Sequence, residues 1–376
     1  MACRNYFLII LLVIASNFYI INCIKNHKLK SHKLFQPPVF IKTEYGDVYD
    51  CVDINKQLSL SHPALANHTI MLKPNMDHEN RMLANELREK SSLGLKEGCP
   101  SGSVPIRRYG RVSDLKRNSW NHGLEFAGVY TSKGEYHGSR AIMSIWQPIV
   151  HINSKSYSSA MISFESGEGP GLNQIQVGWT VNPNLYHDNN VRTYTSWTTD
   201  NHQLTGCYNM LCPGFVLVSP NFPLDMVLSP SDPYKRLLNE VQFDVSQDQE
   251  TGVWWLGINK QYIVGYWPKE LFTNLNQHAD TVRWGGEIFT PLSEERSPRM
   301  GSGRFKDFNY DLTSSIIDIN LLNSKFNTII PDESIIQISE SRCFREDDQS
   351  YKNDIGYSFV YGGGGGTKSM CLSPNR

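Results

Sequence analysis

From Trp120 onward the chain consists of short runs in which apolar and polar residues alternate, separated by Gly, Pro, Asn and Asp. Successive side chains of a strand point to opposite faces, so such runs are typical of strands with one buried face. No long amphipathic helix lies between the runs, and only Pro268–Leu275 is predicted to form a helical turn. This pattern predicts a mostly β protein, an antiparallel β-sandwich, and argues against a doubly wound α/β fold. The runs are EFAGVYT, YHGSRAIMSIW, SSAMISFES, QIQVGWTV, RTYTSWTT, GFVLVS, NEVQFDVSQ, VWWLGIN, QYIVGYW, TVRWGGEIF, SIIDINLL and GYSFVYG.

The part of the chain before the sandwich differs in character. Ile24–Pro38 is basic and rich in histidine, Ile41–Ile54 has the alternation of a short strand unit, and Asp77–Lys90 has the periodicity and the capping residue of a helix. The basic stretch Arg107–Arg117 resembles an exposed linker, where proteolytic cleavage is common. We therefore expect a small α+β prodomain over residues 24–117 and the sandwich domain over residues 118–376.

Residues 1–23 have the features of a signal peptide. Arg4 precedes an apolar run, Tyr6–Ile21, which is short for a membrane span, although an uncleaved signal anchor is the alternative. No later apolar segment is long enough to cross a bilayer. The net charge of −1 disfavours nucleic acid or an anionic membrane as the main partner. The sequence thus predicts a secreted protein with no membrane contact beyond the signal peptide, and Asn67 begins a glycosylation sequon.

Six cysteines remain after the leader, an even number that suggests three disulfides in an oxidising compartment. Proximity in sequence favours the pairs Cys51–Cys99, Cys207–Cys212 and Cys343–Cys371, although six cysteines allow 15 connectivities. A zinc site is the competing interpretation. The chain has no CxxC pair, HExxH motif or close His/Cys set, so we expect neither metal nor cofactor.

Two of the predicted strands carry a polar residue beside glycine. In Val282–Phe289 the alternation places Glu287 on the face opposite the apolar residues, and in Asn173–Val181 it does the same for Gln176. Glycine removes neighbouring side chains and lets another backbone approach, which suits a groove that binds an extended peptide. A solvated surface glutamate is the simpler alternative. The other groove candidates on these two faces are Gln174, Gly178, Thr180, Arg283, Gly285 and Phe289.

Several of these stretches occur together in one known family. The segments IKTEYGDVYDCVDINKQ, HPALANHTIMLKP, NQIQVGWTVNPNLY, TGCYNMLCPGFV, VGYWPKELFTNL and VRWGGEI resemble, in the same order, the neprosin family of plant proteins. The resemblance spans residues 37–371 and implies a secreted precursor, an activation-peptide domain and a β-sandwich glutamic peptidase that works in acid. Its best-known member cleaves after proline. The two C-terminal cysteine pairs match disulfides of the family.

The resemblance implies site residues unevenly. Glu287 occupies the position of one catalytic glutamate, but Gln176 stands where the family has the other, in the motif I-E-x-G-W. The segment Phe305–Ile319 also departs from the family pattern, which could reshape one end of the groove. A glutamine amide is a permanent hydrogen-bond donor, so Gln176 can polarise a carbonyl but cannot relay a proton. The eqolisin peptidases, which resemble neprosin in fold, use such a Gln/Glu pair.

Two functions follow from this substitution. In the first, the chain is a secreted glutamic endopeptidase, inhibited by its own prodomain, with a peptide or protein as substrate, Glu287 as base and Gln176 as oxyanion donor. In the second, it is an inactive β-sandwich of the cell wall that binds peptides or glycans. The expected location is extracellular, in the apoplast or wall, with the vacuole as the alternative.

Overall fold

The computed structural model describes residues 39–75, 93–109, 123–304, 310–332 and 334–371. The expected signal peptide, the helix candidate Asp77–Lys90 and the boundary near residue 117 lie outside these residues. Within the described ranges, no helix combines the length and the apolar character that crossing a membrane requires.

Strands account for most of the regular structure. In chain order they are β1 (Phe40–Lys42), β2 (Val48–Asp53), β3 (Ser103–Arg107), β4 (Leu124–Thr131), β5 (Tyr136–Ser144), β6 (Tyr157–Ser166), β7 (Asn173–Val181), β8 (Arg192–Thr198), β9 (Cys207–Tyr208), β10 (Val216–Leu217), β11 (Glu240–Gln247), β12 (Trp254–Ile258), β13 (Tyr262–Trp267), β14 (Thr281–Phe289), β15 (Arg296–Ser297), β16 (Ser314–Asn323), β17 (Thr328–Ile329), β18 (Ile336–Ser339), β19 (Arg345–Lys352), β20 (Gly356–Gly362) and β21 (Gly366–Thr367). The α-helices within the described residues are α1 (Pro183–Tyr186) and α2 (Lys368–Cys371). Single 3₁₀ turns are Ile54–Lys56, Leu58–Ser61, Pro63–Leu65, Gly169–Gly171, Pro233–Lys235 and Lys269–Leu271.

Two large antiparallel sheets form the sandwich that the alternating runs predict. One has the order β18-β4-β14-β6-β7-β8-β9, and we call it the site sheet. The other has the order β10-β13-β12-β11-β5-β16-β20-β19, with β17 paired to β16. Their facing sides share one hydrophobic core, to which β14 contributes Val282, Trp284 and Ile288 and β7 contributes Ile175, Val177, Trp179 and Val181. The mostly β fold and its apolar faces are therefore confirmed.

The described residues 39–75 and 93–109, which we call the N-terminal segment, form the three-stranded sheet β1-β2-β3 and short 3₁₀ turns. This segment is attached to the rest of the chain at several points. Gln57 exchanges two hydrogen bonds with the backbone of Leu217, at 2.9 and 3.1 Å. The Tyr266 hydroxyl meets His68 Nε2 at 2.8 Å and accepts from Met71 N at 3.0 Å. Apolar residues of the segment, including Ile54, Leu65 and Val104, join the main core.

All three predicted disulfides are present: Cys51–Cys99, Cys207–Cys212 and Cys343–Cys371. The first closes a sequence separation of 48 residues inside the N-terminal segment, and the third closes 28 residues at the end of the chain. Closing long loops restricts the unfolded chain most, so these two contribute more to stability than the five-residue loop of the second.

Sequence analysis missed several elements, among them strand β19 and helix α1. Strand β19 reads REDDQSYK, whose charges conceal any apolar alternation, and it forms the outer edge of its sheet next to β20. Helix α1 is too short for a periodic pattern, but Asn182 caps it by accepting a hydrogen bond from Leu185 N, and Pro183 begins it. The helical turn expected within Pro268–Leu275 is present as the 3₁₀ turn Lys269–Leu271.

Candidate active site

Gln176 and Glu287 lie on β7 and β14, the two strands that flank β6 in the site sheet. Glu287 is opposite Ser159 of β6, and Gln176 is opposite Ser163. Opposed residues of an antiparallel pair share a face, and residues 159 and 163 differ by an even number of positions. Both side chains therefore project from the same face of the sheet, away from the core.

A row of small or flexible residues separates the two positions. Gly285 of β14 is opposite Met161 of β6, which in turn is opposite Gly178 of β7. Because two of the three residues lack a side chain, Gln176 and Glu287 can extend across the row toward each other. Gln176 Nε2 donates to Glu287 Oε2 at 3.3 Å, and the two side chains are almost fully buried, with 1% and 8% of their residue surface exposed. We call them the Gln–Glu pair.

Two hydroxyl groups hold the pair in place. The Tyr157 hydroxyl donates to Glu287 Oε1 at 2.6 Å, so each carboxylate oxygen of Glu287 accepts a hydrogen bond. Ser196 of β8 donates to Gln176 Oε1 at 3.4 Å, which orients the amide with its NH₂ group toward the carboxylate. The ring of Tyr157 also stacks on Phe289, with centroids 5.7 Å apart. Sequence analysis missed Tyr157 and Ser196, because neither residue carries a local signal.

The predicted groove glycines contact neighbouring backbone. A Cβ atom added at Gly178 would lie 1.9 Å from the Ala160 carbonyl oxygen, and one at Gly285 would lie 2.3 Å from that of Ala127 and 2.8 Å from the Phe126 ring. Any side chain at either position would therefore collide with a neighbouring strand, while the role of these glycines in a substrate groove stays a prediction.

The remaining groove candidates lie on both sides of the pair. Arg283 stacks on Phe126 at 4.4 Å and lies 3.6 Å from a carboxylate oxygen of Glu165. Gln174 donates to the same carboxylate at 2.9 Å. Thr180 is buried on the other side and accepts a hydrogen bond from Ser159 at 2.8 Å. One end of the face therefore carries charged and amide groups, and the other carries small hydroxyl groups.

The face that carries the Gln–Glu pair is covered in this structure. Part of the cover is a second apolar cluster of Met161, Leu185, Tyr186, Tyr194 and Tyr208. Tyr109, near the end of the N-terminal segment, packs against this cluster, as does Phe126. Sequence analysis did not identify these covering residues, because alternation predicts which face a side chain occupies but not what packs on that face.

Buried charges join the N-terminal segment to the site sheet. Asp47 of the segment accepts hydrogen bonds from Arg192 of β8 at 2.7 and 3.1 Å and from Arg107 at 2.7 Å. Burial alone lowers the pKa of Arg192, but the carboxylates of Asp47 and Asp188 outweigh it and raise that pKa. Burial also raises the pKa of the Asp225 carboxyl, which accepts a hydrogen bond from the Tyr109 hydroxyl.

Some sequence predictions concern positions away from the pair. Asn67 is exposed in a turn, as a glycosylation site requires, while the modification itself stays a prediction. Within the described ranges, no group of three or more His, Cys, Asp or Glu side chains is arranged to hold a metal ion.

Comparison with solved structures finds glutamic peptidases. A scytalido-glutamic peptidase with a peptide-based transition-state analog aligns over 64% of this chain and 98% of its own, with 11% identity and a TM-score of 0.38. SCP-B, an eqolisin-family peptidase in complex with the tripeptide Ala-Ile-His, aligns over the same shares with 9% identity and a TM-score of 0.35.

Comparison with family models gives a direct assignment. The Neprosin model matches residues 154–364, more than half of the chain, and this range contains both members of the Gln–Glu pair. The Neprosin activation peptide model matches residues 40–127, which include the N-terminal segment. The chain therefore belongs to the neprosin family.

Proposed function

We propose that this protein is a secreted endopeptidase that is made as a precursor and acts in acid through the Gln–Glu pair. The observation that carries the proposal is the 3.3 Å contact between Gln176 Nε2 and Glu287 Oε2 on one face of the site sheet. A base and a hydrogen-bond donor at this spacing can act on one water molecule and one peptide carbonyl.

In the proposed reaction Glu287 takes a proton from water, and the resulting hydroxide adds to the carbonyl carbon of the substrate. The electron pair of the C=O π bond moves to the oxygen, and Gln176 Nε2 donates a hydrogen bond to that oxyanion. The protonated Glu287 then gives its proton to the amide nitrogen as the C–N bond breaks, which yields a carboxylic acid and an amine. Glu287 thus serves first as base and then as acid, because an amide cannot relay a proton.

The hydroxyl groups next to the pair support the separate roles of Glu287 as base and acid and of Gln176 as hydrogen-bond donor. Ser196 at Gln176 Oε1 keeps the amide NH₂ directed into the site. Tyr157 donates to Glu287 Oε1, and this hydrogen bond fixes the orientation of the carboxylate. A loss of one oxyanion donor costs about 3–4 kcal/mol of transition-state stabilisation in comparable enzymes, so the orientation of the amide matters.

The N-terminal segment would keep the precursor inactive. Its Tyr109 packs on the face that carries the Gln–Glu pair, and its Asp47 binds Arg192 of the site sheet. Acid would weaken this attachment and expose the groove, and cleavage within the basic stretch Arg107–Arg117 would make the release permanent. By resemblance to the best-known member of the family, we expect cleavage after proline.

The alternative is an inactive member that binds peptides or glycans, and the observation that favours it is the glutamine at position 176. One experiment separates the two functions. The secreted full-length chain is incubated in acid with a casein-like substrate, beside the variant Glu287→Gln. Fragments that appear with the wild type and not with the variant support the peptidase, and an intact substrate with both supports the binding protein.

The control is Glu125→Gln, which removes another buried glutamate from the neighbouring strand. Glu125 is 7% exposed and is opposite Ile288, one position along from Glu287, but its hydrogen bonds come from Ser297 and Ser341. We expect this variant to keep the activity of the wild type. If Glu287→Gln digests as well as Glu125→Gln, then Glu287 is not the base.

A further inference from the structure

Tyr109 fills a pocket whose walls belong to the sandwich. Its ring packs against the apolar cluster on the outer face of the site sheet, and we call this place the tyrosine pocket. The walls are Met161, Leu185, Tyr186, Tyr194 and Tyr208. All five come from β6, α1, β8 and β9, so they remain when the N-terminal segment leaves.

The tyrosine pocket adjoins the Gln–Glu pair. Its residue Met161 lies in the row between Gly285 and Gly178, across which the two catalytic candidates meet. Tyr194 is opposite Gly178 on the next strand. A side chain held in the pocket therefore belongs to a residue close to the scissile bond of a bound peptide.

The polar end of the tyrosine pocket matches a hydroxyl group. The Tyr109 hydroxyl donates to Asp225 Oδ2 and accepts from Asn209 Nδ2 at 3.3 Å. Asn209 is itself held in place, since its Oδ1 accepts from Thr195 N at 2.9 Å and its Nδ2 also donates to Tyr186 at 2.9 Å. Asp225 is 3% exposed, and a buried carboxyl that loses its donor carries a desolvation penalty.

We propose that the tyrosine pocket is a substrate subsite for a tyrosine side chain, and that Tyr109 occupies it as the chain's own pseudosubstrate. This inference rests on the proposed peptidase function. Apolar walls alone would accept phenylalanine or proline equally well. Asp225 and Asn209, which bond the hydroxyl group, favour tyrosine, because a site built to bind an OH group rejects the analogue that lacks it.

A binding experiment tests the subsite without any need for turnover. Full-length Tyr109→Ala is titrated at neutral pH with N-acetyl-L-tyrosinamide by calorimetry, beside the wild type and Tyr45→Ala. Tyr45 is an exposed tyrosine of the same segment, so its loss leaves the pocket filled. We expect saturable binding to Tyr109→Ala alone, and binding of N-acetyl-L-phenylalaninamide at least about tenfold weaker.

Equal affinity for the two amides, or the same binding to all three proteins, would overturn the proposal, as would no binding to a folded Tyr109→Ala. A second measurement uses the acid-processed wild type and maps its cleavage sites in a peptide library. Tyrosine enriched at one fixed position from the cut supports the subsite, and no enrichment at any position refutes it. Should the protein prove inactive, the titration still decides the question, so the two failures are distinguishable.

Discussion

Asp47 of the N-terminal segment and Arg192 of the site sheet form a buried, two-bonded ion pair, with contacts of 2.7 and 3.1 Å. The side chain of Asp47 is 5% exposed and that of Arg192 is fully buried. Arg107 binds the same carboxylate at 2.7 Å, so one negative charge serves two guanidinium groups. Because buried charges are costly when unpaired, this contact makes the docking of the segment sensitive to a single residue.

The first prediction is that Asp47→Asn loosens the N-terminal segment. The variant leaves Arg107 and Arg192 without their shared carboxylate. Removing one partner of a buried ion pair lowers the stability of the fold by about 3–5 kcal/mol. We expect a test protease to cut the Asp47→Asn precursor faster than the wild-type precursor. We also expect the variant to be processed in milder acid than the wild type. Asp50→Asn is the control, since Asp50 pairs with Arg108 at a solvent-exposed site, where a salt bridge contributes little to stability. Identical digestion of the two variants would contradict the prediction.

The second prediction concerns the histidines of the segment. Burial lowers the pKa of His62, which packs on Trp197, and of His68, which contacts Tyr266. A histidine whose pKa is lowered on docking stabilises the docked state above its ordinary pKa of 6.5, and this contribution is lost as the pH falls below 6.5. Acid should therefore release the segment.

Mass spectrometry after acid incubation measures that release. The double variant His62→Gln and His68→Gln cannot gain these charges, so we expect roughly twofold less released segment at pH 5 than with the wild type. His151→Gln, at an exposed position of the sandwich, should behave as the wild type. An intact wild-type chain after acid treatment would count against acid-driven processing.

Sequence analysis was most successful where the information is local. Alternation along β7 and β14 placed Gln176 and Glu287 on non-core faces, and the adjacent glycines marked the strands where backbones approach closely. Their catalytic role stays a prediction. The partners of the pair were not predictable, since Tyr157 and Glu287 are 130 positions apart and share no motif. The cover over the face depends on long-range packing for the same reason.

The third prediction tests Gln176 as a neutral donor. Gln176→Glu restores the family's second acid, and two carboxylates at this spacing resist double ionisation, so one must hold a proton to donate. We expect activity to be kept or raised and to depend more steeply on low pH, as measured by kcat/KM against pH. Gln242→Glu, at another buried glutamine on the opposite sheet, is the control and should keep the wild-type profile. A large loss with Gln176→Glu would mean that the amide is used specifically.

The fourth prediction is that Tyr157→Phe impairs the reaction. The variant removes the 2.6 Å hydrogen bond to Glu287 Oε1, and a hydrogen bond to a charged group contributes about 1.5–3 kcal/mol. We expect kcat/KM to fall about 10- to 100-fold, because the Glu287 carboxylate loses the hydrogen bond that orients it. Tyr136→Phe removes a buried hydroxyl that bonds to the Ser132 carbonyl and should leave kcat/KM unchanged. A kcat/KM of Tyr157→Phe equal to that of the wild type would exclude this role.

The last prediction concerns stability and rests on Glu346 of the edge strand β19. Burial, together with the charges of Asp347 and Glu340, raises its pKa to about 7. A carboxyl whose pKa is raised on folding stabilises the fold below its ordinary pKa of 4.5, and that contribution is lost as the pH rises through about 7. Glu346→Gln should thus stabilise the protein at pH 8 by about 1–2 kcal/mol after allowance for solvent screening, with little effect at pH 4. Thermal unfolding at the two pH values measures the difference, with Glu295→Gln as the exposed control. If the two variants change the unfolding temperature equally at each pH, then the net charge of the protein, and not the burial of Glu346, governs the pH dependence of stability.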